Sequence, residues 1–151
     1  MRRFFLLTFL LLNLLFGGCG VSAQQEWRDY QGTLAATRDD HQAAMNAWES
    51  IQGQNAKSPP EMSRVLRRDV LPRYERIIGR MEDIRPRSAE VRGVHEPFLN
   101  YLRTYRRGIL ILADAMDANR PEDAPVSERV MAEAMVYLRT ARANTQALNA
   151  K

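Results

Sequence analysis

Residues 91–116 read VRGVHEPFLNYLRTYRRGILILADAM, and the apolar positions inside this stretch decide the fold. Val91, His95, Phe98, Leu102, Tyr105, Ile109, Leu112 and Met116 recur at intervals of three and four, the spacing that returns side chains to one face of an α-helix. Ser88 stands before the stripe as an N-cap. Pro97 lies within it, and its ring meets the carbonyl of Gly93, which predicts a kink there or a separate short turn before Pro97.

The same period fills the chain on both sides. A first helix is expected over about 26–54, with Trp27, Tyr30, Leu34, Thr37, His41, Ala44, Trp48 and Ile51 on one face. A second, over about 60–84, carries Leu66, Val70, Tyr74, Ile77, Met81 and Ile84, and Pro72 inside it predicts a kink near Arg68. A fourth runs over about 126–148 through Met131, Ala134, Leu138, Ala141, Thr145 and Leu148. No stretch alternates apolar and polar residues between turn signals, so the fold class is all-α. Short connections between long helices imply antiparallel neighbours, hence an up-down-up-down four-helix bundle of two hairpins spanning 26–151.

Register follows from the loops. Folding the first hairpin between residues 55 and 56 sets Trp27 against Ile84, Tyr30 against Met81, Leu34 against Ile77, Thr37 against Tyr74 and His41 against Val70. Glu26 then falls beside Arg87, and Asp40 beside Arg73, so an acidic first helix faces a basic second one. Folding the second hairpin between residues 121 and 122 sets Phe98 against Thr145, Leu102 against Ala141, Tyr105 against Leu138, Ile109 against Ala134 and Leu112 against Met131. Large residues there mostly oppose small ones.

The first residues carry an address. Met-Arg-Arg is followed by an apolar run from Phe4 to Phe16, too short to span a bilayer and of the length of a signal h-region. Leu15-Phe16-Gly17-Gly18-Cys19 then resembles the lipobox of bacterial lipoproteins, whose signal peptidase cuts before a cysteine that becomes acylated. That resemblance implies a signal peptide over 1–18, lipidation of Cys19, a tether over 19–25, and two or three acyl chains, enough for stable anchoring. With Gly20 rather than Asp after the cysteine, the sorting rule of enteric lipoproteins points to the outer membrane, facing the periplasm. The alternative is a small-residue site, Val21-Ser22-Ala23, cut after residue 23 to release a periplasmic or secreted protein beginning at Gln24.

Composition narrows the function. At 151 residues, 45% hydrophobic and 26% charged, the chain suits one soluble exported domain with a core of its own. Its net charge of +4 falls to +2 once Arg2 and Arg3 leave with the leader, too little to imply nucleic acid as a partner. Cys19 is the only cysteine, so the folded part has no disulfide, thiolate metal site or cysteine nucleophile.

Chemistry-bearing patterns are few. His41 and Met45, like Met131 and Met135, stand at i, i+4, where imidazole and thioether donors share a face that could hold copper or a haem iron. The Glu-x-x-His pattern of di-iron bundles is absent, since Arg38 and Arg92 precede the histidines by three, and no G-x-S-x-G elbow occurs. No cofactor is assigned and no catalytic residue. Arg64, Arg68, Arg76, Arg103, Arg106 and Arg107 form the best candidate surface for anionic lipid or an acidic envelope partner. The expectation is a non-enzymatic, membrane-tethered structural or protein-interaction module, with a small-ligand, haem or copper carrier as the alternative.

Overall fold

A computed structural model describes residues 22–53 and 57–150, and every regular element among them is helical. The fold is all-α, as the periodicity predicts. The signal sequence and Cys19 lie outside the described residues.

Ser22 opens α1 (Ala23–Ala36) by accepting the Gln25 N–H on its hydroxyl at 3.1 Å, so the first helix begins at Ala23 rather than at Glu26. The single helix expected from there to residue 54 is two. The Thr37 hydroxyl donates back to the Leu34 carbonyl at 2.8 Å and separates α1 from α2 (Arg38–Glu49). A threonine competing for the carbonyl of the preceding turn leaves the apolar spacing intact, so periodicity does not register this joint. The joint matters to packing: α2 lies against the second arm, whereas α1 leans on the third.

The second arm comprises α3 (Pro59–Val65), one π-helical turn (Leu66–Val70) and α4 (Leu71–Glu82). Glu61 fastens the start of α3 by accepting both the Ser58 N–H and the Ser58 hydroxyl. Pro72 offers no N–H to the Arg68 carbonyl and crowds it. The backbone widens in response, and the Leu71 N–H reaches back to the Leu66 carbonyl. The kink expected near Arg68 is therefore a π turn, the usual way a helix absorbs one surplus residue.

The third arm, α5 (Ala89–Asp117), runs unbroken through Pro97, so the separate short turn that was the alternative to a kink does not form. Asn144 explains its continuity: the side-chain amide donates at 2.7 Å to the Gly93 carbonyl, the one Pro97 cannot pair. Asn119 ends the arm with φ of 50°, while the Asn119 and Arg120 N–H groups close on Met116 and Ala115. A 3₁₀ turn (Pro121–Asp123) leads into α6 (Ala124–Asn149).

The contact between α5 and α6 is the most extensive in the molecule, and its register corrects the expected one. Gly108 was due to face Met135, and Leu112 to face Met131. Instead Gly108 lies over Ser127 and Met131: a Cβ on it would stand 2.6 Å from Met131 Cγ, and the Ser127 hydroxyl donates to its carbonyl at 2.8 Å. Ser127, Ala134, Ala141 and Leu148 are the buried residues of α6, one every seven positions. Small side chains on that seam let two backbones approach, and this approach, rather than the pairing of large with small residues, sets the register.

Charge complementarity between the first two arms survives in altered form. Glu26 accepts the backbone N–H groups of Arg87 and Ser88 at the start of α5. Asp40 pairs with Arg76 at 2.6 Å and Arg80 at 3.3 Å, not with Arg73, whose guanidinium turns back along its own arm to the Asp69 carbonyl. Across the outer face, Glu82 meets Arg103, Glu75 meets Arg106, and Arg67 bridges Asp114 and Asp117.

Candidate functional site

Tyr74 in α4 and Tyr105 in α5 stack with ring centroids 5.6 Å apart. Tyr105 tilts on Tyr101 at 5.7 Å, and Tyr101 on Phe98 at 6.0 Å. These four rings, with Ile77 and Leu102, make the floor of an open groove of about 530 Å³. One wall comes from the α1–α2 arm through Leu34, Thr37 and Met45, the other from α6 through Met135 and Leu138. The groove exists because α6 is held to α5 at Gly108 and Gly93, while the first arm is held to α4 at Asp40. The seam between the first arm and α6 is closed at one end by the Trp27 indole N–H, which donates to Asn149 at 2.8 Å.

The groove is electrically one-sided. Burial pushes the Tyr74, Tyr101 and Tyr105 phenols upward, so all three keep their protons and stay neutral. No lining residue is acidic. Arg38 stands on one rim and Arg142 on the other, both exposed and neither paired with a carboxylate among the described residues. Of the sixteen other described arginines, eight form ion pairs, Arg76, Arg103 and Arg106 among them.

Of the donors read from the sequence, His41, Met45 and Met135 line this groove. Met131 does not; it packs against Gly108 beneath. Among the described residues no group of three or more His, Cys, Asp or Glu is placed to hold a metal ion. The arginine surface is largely occupied by its own chain: Arg68 pairs with Asp69, Arg76 with Asp40, Arg103 with Glu82, Arg106 with Glu75 and Arg107 with Glu133. Arg64 alone of the six has no ion pair among the described residues.

A second depression, lined by Arg85, Arg92, His95 and Arg103, sits where α4 hands over to α5. Its guanidinium groups are committed: Arg85 to the Glu82 and Ile84 carbonyls, Arg92 to the Arg87 carbonyl, Arg103 to Glu82. His95 is buried edge-on to Tyr30 at 5.8 Å, and desolvation holds its imidazole below the ordinary range. Periodicity places Leu34, Tyr105 and Leu138 in the core, and nothing in their spacing marks an opening. No described helix is long and apolar enough to cross a membrane. No family model, curated protein or solved structure matches this chain.

Proposed function

We propose that this chain is a non-enzymatic lipoprotein of the bacterial cell envelope, tethered through Cys19 to the outer membrane and acting in the periplasm as a structural or protein-interaction module. Its arms form an up-down-up-down four-helix bundle standing on that tether. The observation that carries the reading is the N-cap of α1. A cut before Cys19 keeps Ser22 and its hydrogen bond to Gln25, whereas a cut after Ala23 strips the cap from the helix, at a cost of about 1 kcal/mol. With α1 starting at Ala23, the tether is shorter than residues 19–25, and the bundle stands roughly 10 Å from its anchor at full extension.

Intact-mass measurement on membrane fractions of the native host, with the wild-type chain and Cys19→Ala, tests the anchor. The expected wild-type species begins at Cys19 and carries two or three acyl chains; the variant carries none. An unlipidated wild-type chain beginning at Gln24 overturns the reading. The alternative, a small-ligand carrier, draws support from the open groove between the first arm and α6.

A further inference from the structure

We propose that the groove between the first arm and α6 binds a single-chain amphiphile with an anionic head, its acyl chain lying along the Phe98–Tyr105 rings and its carboxylate or phosphate held between Arg38 and Arg142. The volume of about 530 Å³ falls in the range of organic-ligand pockets, roughly 300–1,000 Å³. Its walls are mainly apolar, with Thr37 and His41 among them, and Met45 and Met135 give them side chains that adapt to a flexible chain. An alkyl chain laid over the partly exposed Leu34, Phe98, Tyr105 and Leu138 removes apolar surface from water.

Charge selects the head group. The lining holds no carboxylate, and its two arginines, one on each wall, make no ion pair among the described residues. A guanidinium fork on each rim suits an oxyanion with several acceptor atoms. A docked partner helix would meet the same apolar floor, but the rim arginines favour an anion at the mouth. The inference does not depend on the anchor, because a chain lacking lipid has the same groove.

Native mass spectrometry of the processed full chain, titrated separately with laurate, lysophosphatidate and dodecanol, tests it. One laurate or lysophosphatidate per chain is expected, with dodecanol weaker by about tenfold. The order of laurate and lysophosphatidate identifies the head group as carboxylate or phosphate. Arg38→Ala with Arg142→Ala should bring both anions down to the dodecanol level and leave dodecanol unchanged. Leu138→Trp, which fills the groove, should abolish all three, and Leu34→Trp on the opposite wall repeats the block if the first variant melts early. A folded wild type that takes up no ligand overturns the proposal. So does equal uptake of laurate and dodecanol, or full laurate binding by both folded tryptophan variants, which would leave the groove to a peptide partner.

Discussion

Asn144 donates its side-chain amide to the Gly93 carbonyl at 2.7 Å, across 51 positions of sequence, and so replaces the backbone hydrogen bond that Pro97 removes from α5. A helix interrupted chemically is thereby continuous geometrically. Asn144→Ala should cost about 1–2 kcal/mol, because the carbonyl is left facing a neighbour with no donor. Pro97→Ala in that background restores an N–H to the Gly93 carbonyl and should recover at least half of the loss. Urea denaturation of the four chains of this double-mutant cycle measures it, and additive effects would refute the compensation.

Gly108 marks the closest approach of α5 and α6. Gly108→Ala places a methyl 2.6 Å from Met131 Cγ and 3.3 Å from the Ser127 carbonyl oxygen. Alanine would favour an isolated helix by up to about 1 kcal/mol, yet crowding at a packed seam costs about 1–3 kcal/mol, so net destabilisation is expected. Met131→Ala should relieve part of it. An unchanged melting temperature for Gly108→Ala would mean that the seam is looser than the geometry shows.

His95 makes stability depend on pH in the mildly acidic range. Burial lowers its affinity for a proton, Arg85 and Arg103 act in the same direction, and Glu96 opposes them. The folded chain thus binds that proton more weakly than the unfolded chain does. Stability is intact above a pH of about 6.5, the ordinary histidine value, and declines as the pH falls from there through the lower folded value. Melting curves between pH 7 and 5 should show this slope in the wild type and a flatter one in His95→Gln. Parallel slopes would exclude His95 as the source.

Glu26 acts lower on the scale. Burial works to raise its carboxyl, but the Arg87 and Ser88 N–H groups outweigh it and hold the value below 4.5. Its contribution is therefore present above about pH 4.5 and lost as the pH falls through the lower folded value. Glu26→Gln should cost about 1 kcal/mol at neutral pH, since an amide is a weaker acceptor at the positive end of α5. The same variant should lose less stability on acidification than the wild type does; an equal loss measured by circular dichroism would count against the cap.

The helices were legible in the sequence wherever apolar spacing carried them, and so was the disturbance from Pro72, which the backbone of its own arm absorbs in a π turn. What escaped depended on polar or absent side chains. Thr37 divides the first arm while remaining on its apolar stripe. Pro97 leaves α5 uninterrupted, and the donor that serves its orphaned carbonyl, Asn144, lies on another helix. The register of α5 on α6 is set by Gly108 and Ser127, which a search for large apolar partners passes over. The groove escaped for a related reason: Leu34, Tyr105 and Leu138 have core spacing, and only the placement of α6 leaves them half-buried.

The bond between the Trp27 indole and Asn149 spans 122 positions of sequence. It gathers both limits of the described chain at one pole, with the turn that Glu26 caps beside them. The opposite pole is built of connections alone, around Ser50 and Asn119. A reporter appended after Asn149 would crowd the pole where Trp27 and Asn149 meet, whereas an epitope inserted beside Asn119 would project away from it. The molecule thus has a root and a crown, and labels, proteases and antibodies will read them differently.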